Sequence, residues 1–253
     1  MTTVAVCTPR CGPSAWPYND SMQDWLIWHH KYHPEIEIVS VRAERYLPID
    51  VARNLLMRLF LETEAEWVWM LDQDAAWVPG TLDRLMSWDL PLVGALEMMR
   101  LPGACWPMAL KDLRPDGKSY RNQGPEIYEF IGRHHDYLSN EPQMLETPPE
   151  DSLLETGFTG CHCLLVKREV IELMPQPWFE GYEPGGEDQY FCEKALAELG
   201  IKTFIDMSVI VGHASTDRII GAFDFMTALR FYNELEKERQ VDAAKLTEWR
   251  EEE

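Results

Sequence analysis

Two carboxylates one residue apart, Asp72 and Asp74, close the apolar run Trp67-Val68-Trp69-Met70-Leu71. On an extended chain, positions i and i+2 face the same side. Carboxylates held that close repel one another, and a shared hard divalent cation is the simplest remedy. Such an ion could also clamp the two phosphates of a nucleotide diphosphate. Acids at strand ends are ordinary turn residues too, so the triplet alone leaves both readings open. A second acidic pair, Glu187-Asp188, follows Gly185-Gly186 and precedes Gln189. An acid there is first of all a helix cap. Two in a row let one cap while the other serves as a general base, and the glycines let backbone approach a ligand. His213 follows a further apolar run, Val209-Ile210-Val211-Gly212. A set of Asp72, Asp74 and His213 with phosphate oxygens suits Mn²⁺ or Mg²⁺ better than a structural zinc.

Cys161-His162-Cys163 has no second pair at ligand spacing. Alternation along a strand places both thiols on one core-facing side, and no metal is assigned there. His29-His30, His33 and His134-His135 lack ligand spacing with acids and read as solvated. No P-loop, nucleophile elbow or dinucleotide-binding glycine pattern occurs, which argues against the common kinases, hydrolases and dehydrogenases.

The elements that must position these residues follow from hydrophobic spacing. Val4 to Thr8 predicts a strand feeding the loop Pro9-Arg10-Cys11-Gly12-Pro13. Ser21 is placed to cap a helix carrying Met22, Trp25 and Leu26. Ile36 to Val41 alternates as a second strand, and Asp50 caps a helix with Ala52, Leu55, Leu56 and Leu59 on one face. Trp67 to Leu71, apolar throughout, predicts a central strand covered on both sides. Pro79-Gly80 opens another helix, and Leu92 to Leu96 is a fourth strand. This alternation predicts an α/β fold with an open, mostly parallel sheet, which binds ligands at the carboxyl ends of its strands. From Leu101 to Glu155 the pattern dissolves into Pro, Gly, His and acids. It resumes with a strand at Cys163 to Val166. A helix over Gln189 to Leu199 then buries Cys192, Ala195, Leu196 and Leu199 and stops at Gly200, before a strand at Thr203 to Val211. A charged helix over Phe223 to Glu238 leads to the acidic end Glu251-Glu252-Glu253. One domain with an irregular middle excursion is the simplest division.

Composition narrows the class. The chain has 253 residues, 45% hydrophobic and 26% charged, which is globular and excludes a disordered tail, a collagenous rod or a disulfide-stapled miniprotein. Lys and Arg number 23 against 43 Asp and Glu, a net charge of −20. That surface disfavours nucleic acid unless a local basic channel exists, and an anionic ligand would need a metal or dedicated cations. The cysteines Cys7, Cys11, Cys105, Cys161, Cys163 and Cys192 fit no disulfide framework and read as reduced thiols. There is no secretory n-region, and no apolar run approaches the roughly 18 to 20 residues of a membrane span. The expectation is a soluble, cytoplasmic protein with no membrane partner.

Several segments taken in order resemble a GT-A glycosyltransferase, in particular the family-2-like group. They are Val4-Ala5-Val6-Cys7-Thr8-Pro9-Arg10, Ala52-Arg53-Asn54 and Trp69-Met70-Leu71-Asp72-Gln73-Asp74. Further on come Thr156-Gly157-Phe158-Thr159-Gly160, Lys167-Arg168-Glu169-Val170, Pro177-Trp178-Phe179, Glu187-Asp188 and Gly212-His213. The resemblance spans residues 1–100 and 153–216. It implies a single GT-A (Rossmann-like) domain. Residues 1–100 would be the nucleotide-binding half, 101–155 an acceptor-side insertion, 156–216 the catalytic half and 217–253 a helix with an acidic tail. The implied activity is metal-dependent transfer of a sugar from a nucleotide sugar, by family habit a UDP-sugar, to a hydroxyl acceptor, preferably with inversion.

By the same similarity Asp72-Gln73-Asp74 is the DxD motif, Asp74 binds Mn²⁺ or Mg²⁺, Asp72 touches ribose or metal, and His213 completes the metal shell. Thr8, Pro9 and Arg10 would line the base and ribose pocket. Arg53 would lie near the nucleotide and help neutralise the leaving diphosphate. Asp188, with Glu187 beside it, would be the base that deprotonates the acceptor.

Compact glycosyltransferases encoded by bacteriophages are similar, and some glycosylate hydroxymethylated DNA bases, which would place the enzyme in a host cytoplasm. A DNA acceptor would need a basic groove from Lys111, Arg114, Lys118, Arg121 and Arg133; scattered surface charge is the other reading of those five. Trp106 and Trp178 are candidate sugar-stacking platforms, although aromatic side chains serve equally as core. A nucleotidyltransferase would also use paired acids on an α/β sheet. It would want a glycine-rich basic loop after the first strand, where Pro9-Arg10-Cys11-Gly12 offers one glycine and one arginine. An inactive nucleotide- or sugar-binding module would have no need of Asp72, Asp74, Asp188 and His213 together.

Overall fold

A computed structural model describes residues 2–10, 14, 16–44, 47–97, 107–113, 120–134, 138, 147–181, 186–214 and 219–220. Its centre is built by three strands that are apolar on both faces: β1 (Thr3–Arg10), β3 (Trp67–Leu71) and β10 (Cys163–Lys167). Ala5, Cys7, Val68, Met70, Leu164 and Val166 point to one side. Val4, Val6, Trp67, Trp69, Leu71, Cys163 and Leu165 point to the other. A sheet apolar on both faces must be covered twice. Leu56, Met57 and Phe60 of α2 (Ile49–Leu61), Val170 and Ile171 of α5 (Arg168–Leu173), and Phe191, Cys192 and Ala195 of α6 (Glu187–Leu199) cover the first side. Tyr18 and Trp25 of α1 (Trp16–Tyr32) with Leu82 and Leu85 of α3 (Thr81–Ser87) cover the second.

The remaining strands are β2 (Glu37–Glu44), β4 (Ala75–Ala76), β5 (Leu92–Glu97), β6 (Ala109–Leu113), β7 (Tyr120–Asn122), β8 (Leu153–Thr156), β9 (Phe158–Thr159), β11 (Thr203–Ala214) and β12 (Ile219–Ile220). The sheet runs β12-β11-β5-β10-β3-β1-β2, with β4 and β8 also paired to β11. β1 is parallel to β2 and β3, and β5 is parallel to β11. β10 lies antiparallel between β3 and β5. The result is the expected mostly parallel α/β sheet flanked by helices, with one reversed strand at its centre.

Several local expectations change. The middle segment is more regular than its composition suggests: β6, β7 and β9 form a small second sheet. Ile127, Phe130 and Ile131 of α4 (Gly124–Arg133) pack on Leu96, Ile205 and Met207. Strands of two to five residues are too short for periodicity to reveal. α1 begins at Trp16, so Ser21 lies inside it, where its hydroxyl accepts the Trp77 N–H at 3.0 Å. α2 begins before Asp50, which sits in the first turn rather than at the cap; its charge there still complements the helix dipole. The buried face of α2 is Ala52, Arg53, Leu56, Met57 and Phe60, with Leu55 and Leu59 at its edge. In α6, Leu196 is 49% exposed while Gln189 and Phe191 are buried. The thiols of Cys161 and Cys163 go to opposite sides of the sheet, because Cys161 precedes β10 and strand alternation does not reach it.

The four described cysteines are buried and unbridged. Among the described residues no helix is long and apolar enough to cross a membrane. The helix expected over 223–238, with Cys11 and Cys105, lies outside the described residues.

Candidate functional site

Strand register brings the chemistry-bearing residues together at one end of the sheet. Cys163 stands opposite Leu71 in the β3–β10 pair, and the Asp72 N–H donates to the His162 carbonyl at 3.1 Å. The residue before β10 thus lies beside the residue after β3. β4 pairs with β11 so that Ala75 faces His213, and the Ala214 N–H donates to the Asp74 carbonyl at 2.8 Å. Main-chain hydrogen bonds therefore hold Asp72 against His162 and Asp74 against His213.

Asp74, His162 and His213 each offer one ligand atom, all within 4.8 Å of one another. His213 Nε2 is 3.2 Å from Asp74 Oδ2, and the two imidazoles stack with centroids 4.3 Å apart. Buried His162 has Nε2 3.1 Å from the Gly212 carbonyl. A carbonyl can only accept, so Nε2 carries a proton and the neutral ring presents a lone pair at Nδ1. Nδ1 is buried, makes no hydrogen bond among the described residues, and lies at ion-pair distance, 3.7 Å, from both Asp72 Oδ2 and Asp74 Oδ1. Orphaned buried polar atoms are rare, and an imidazole anchored on a carbonyl through its other nitrogen is the usual posture of a metal ligand. Two imidazoles and one carboxylate fit a transition ion such as Mn²⁺ better than Mg²⁺, which favours oxygen. With no ion, burial pulls the His162 pKa down, but Asp72, Glu97 and Asp74 outweigh it and raise it to about 9. Burial likewise opposes ionisation of Asp74, whose carboxyl the two histidines nonetheless hold below its ordinary range.

Asp72 lies beside this cluster and pairs with a cation. Both of its oxygens lie 3.1 Å from Arg53 Nη2. Burial would raise its carboxyl, yet Arg53 and His162 hold it at about 2. It is not in the cluster of three ligand atoms. Arg53 is 3% exposed. Besides Asp72, its Nε donates to Glu187 Oε1 at 3.0 Å and its Nη1 to the Cys161 carbonyl at 3.4 Å. A guanidinium so engaged ties α2 to the acidic turn and to the start of α6. Glu187 is thereby held as an ion-pair partner.

Asp188, one residue on, is half-buried. Its Oδ1 accepts the Gln189 N–H at 2.8 Å, and a Cβ on Gly186 would stand only 2.7 Å from that oxygen. The glycine thus gives room to the carboxylate. Burial and the adjacent Glu187 push Asp188 up to about 6 against the pull of Arg53. Asn54 fixes the segment leading to this turn: its Oδ1 accepts from Trp178 N and Phe179 N at 2.9 and 3.2 Å, and its Nδ2 donates to the Phe179 carbonyl.

The other expected residues divide clearly. Thr8 is buried with its hydroxyl 2.8 Å from that of Tyr18, and Pro9 is buried beside it. Arg10 is described as backbone paired with Glu44; its side chain lies outside the described part, as do Gly185 and Trp106. Trp178 is 2% exposed and donates its indole N–H to the Ile171 carbonyl, so it is core and not a stacking platform. Arg133 pairs with Asp151 at 2.9 Å. Lys111 and Arg121 are described only as backbone, and Arg114 and Lys118 lie outside the described residues. His162 and Glu97 were not singled out from sequence.

No protein-family model matches the sequence, and no curated protein matches it. Solved structures do. The architecture is that of the GT-A fold, as the sequence motifs implied. The chain is similar to A197 from STIV, with 16% identity and a TM-score of 0.52 over 87% of this chain and 90% of that one. It is also similar to GalNAc-T7, crystallised with UDP, GalNAc and Mn²⁺, with 11% identity and a TM-score of 0.52 over 84% of this chain. The match covers 44% of the length of GalNAc-T7.

Proposed function

We propose that this chain is a metal-dependent glycosyltransferase, one catalytic domain that moves a sugar from a UDP-sugar to a hydroxyl acceptor with inversion. The observation that carries this reading is the cluster of Asp74, His162 and His213, with its orphaned imidazole nitrogen, on the same sheet end as the Asp188 carboxylate. The presence of UDP, GalNAc and Mn²⁺ in GalNAc-T7 supports the choice of donor nucleotide and ion.

Asp74, His162 and His213 would hold Mn²⁺, which when bound supplies positive charge to the diphosphate as its bond to the sugar breaks. The protein's own residues supply the rest. Arg53 keeps Asp72 ionised and holds Glu187 in place through an ion pair. Asp188 accepts the proton of the acceptor hydroxyl while that oxygen bonds to the anomeric carbon and the diphosphate leaves. Thr8 and Pro9 remain the candidate wall of the nucleotide pocket. Among the described residues nothing favours a DNA acceptor: Arg133, whose side chain alone of the five groove candidates is described, is paired with Asp151.

Thermal unfolding with UDP, GDP, ADP and CMP, each with and without Mn²⁺, tests the donor site. UDP at about 100 times its dissociation constant is expected to add roughly 2.7 kcal/mol, only with Mn²⁺, and not in Asp74→Ala. Absence of any nucleotide shift in the wild-type protein would sink the proposal.

Removing a residue that merely orients a metal ligand costs about 10–100-fold in affinity. His162→Ala is therefore expected to weaken Mn²⁺ binding at least that much, as read from the EPR signal of free Mn²⁺ in a titration. Unchanged affinity would remove His162 from the metal shell.

A further inference from the structure

Glu97 belongs neither to the metal cluster nor to the proton transfer, yet it is an acid only 4% exposed at the end of β5. Register explains its place. It stands beside Val211 in the parallel β5–β11 pair, two residues before His213, and its carbonyl accepts the Met108 N–H at 2.9 Å. Across from it is Gly160, two residues before His162. A Cβ added at Gly160 would collide with Glu97 Oε1 and lie 2.9 Å from the carboxyl carbon. The glycine backbone and the carboxyl group are thus in direct contact, with room between them for hydrogen alone. The second oxygen, Oε2, is buried and makes no hydrogen bond among the described residues. Burial pushes the group up to about 8, and its charge is coupled to His162 and Asp72 on the metal side and to Asp188 and Arg53 on the other.

A buried oxygen without a partner calls for one. A carboxyl group can accept a hydrogen bond from a hydroxyl when ionised and donate one to it when protonated. It therefore matches a neutral polyhydroxyl group and, once ionised, repels a phosphate. In the sugar-transfer reading, the anomeric carbon lies between the diphosphate at Asp74, His162 and His213 and the acceptor oxygen at Asp188. The ring carried on that carbon is then the part of the donor nearest Glu97, whose carboxyl feels His162 and Asp72 on one side and Asp188 and Arg53 on the other.

We propose that Glu97 holds a hydroxyl of the transferred sugar through its unpartnered oxygen, with Gly160 keeping the carboxyl group in position. This rests on the sugar-transfer reading. The test measures, by calorimetry with Mn²⁺, the affinities for UDP and for UDP-glucose, UDP-galactose, UDP-GlcNAc and UDP-GalNAc. In Glu97→Ala the affinity for the conjugate the wild-type protein binds best is expected to fall about tenfold or more relative to UDP, with UDP itself little changed. Glu97→Gln, which can still bond a hydroxyl, is expected to keep most of the ratio. Gly160→Ala leaves Glu97 in the chain but takes its space, and is expected to copy Glu97→Ala; it carries the test should Glu97→Ala not fold. A ratio unchanged in Glu97→Ala and Gly160→Ala, or UDP weakened as much as its conjugates, would overturn the assignment. Failure of the wild-type protein to bind any of these nucleotides would instead overturn the sugar-transfer reading, and this inference with it.

Discussion

Asp188→Asn is expected to lower the rate of sugar transfer by about 10²–10⁴-fold while leaving Mn²⁺-dependent UDP binding intact. The carboxylate is held by the Gln189 N–H at 2.8 Å and packed against Gly186. An asparagine of the same size can accept that bond through its amide oxygen, so the helix start survives and the loss reads as chemistry. A general base works best with a pKa near the operating pH, and burial together with Glu187 brings this carboxyl up to about 6. Below that value Asp188 carries a proton and cannot take another; above it the carboxylate is free to act. Wild-type kcat/KM is therefore expected to rise with pH through about 6, and the residual activity of Asp188→Asn to lack that step. Product formation followed chromatographically, beside calorimetric UDP titrations, separates the two effects. A variant that transfers sugar at the wild-type rate would remove Asp188 from the proton transfer.

Arg53→Met is expected to destabilise the protein by about 3–5 kcal/mol, the usual cost of leaving buried charge without its partner. The guanidinium is buried, and Asp72 and Glu187, with side chains 23% and 14% exposed, would face each other without it. The effect should depend on pH in a defined direction. Burial works against Asp72 ionisation, but Arg53 and His162 hold its pKa at about 2, below the ordinary 3.8. The stabilisation it contributes is thus fully present above the ordinary value and lost as pH falls through about 2. Removing Arg53 removes much of that contribution, so the deficit should be largest near neutrality and narrow in acid. Arg53→Lys is expected to rescue only part, since one ammonium cannot span Asp72, Glu187 and the Cys161 carbonyl together. Urea unfolding at several pH values measures this, and a deficit under about 1 kcal/mol at pH 7 would show that the ion pairs contribute as little as exposed ones.

The elements legible in the sequence were those with long, unambiguous patterns. Trp67 to Leu71 reads as a buried central strand because five apolar residues stop abruptly at an acid. Asp74 and His213 could be set near one another because both follow apolar runs that must end at the same edge of a parallel sheet. His162 was hidden by direction: it enters the site only because β10 runs antiparallel beside β3, which no local pattern announces. Its flanking thiols, Cys161 and Cys163, lack a second pair at ligand spacing, so nothing local marks the imidazole between them as a ligand. Arg53 was legible as a cation near the site but not as a buried one, because its commitment depends on Glu187, 134 residues away. Glu97 looks in sequence like any acid closing a strand, and only the contact with Gly160 distinguishes it.

The reversed strand at the heart of the sheet also dictates an order of assembly. Among the described residues, β5 has as its neighbours β10 and β11, both made much later on the ribosome, and β3 keeps one edge bare until β10 exists. A nascent chain that has emerged as far as residue 150 therefore carries two apolar strands with open edges, the condition that invites wrong pairings. Closure waits for Cys163–Lys167 and Thr203–Ala214, the segments that adjoin His162 and contain His213. Maturation of the sheet and assembly of the cluster of Asp74, His162 and His213 are in that sense one event, so a chain in which that cluster is complete is a chain whose last edges have been sealed.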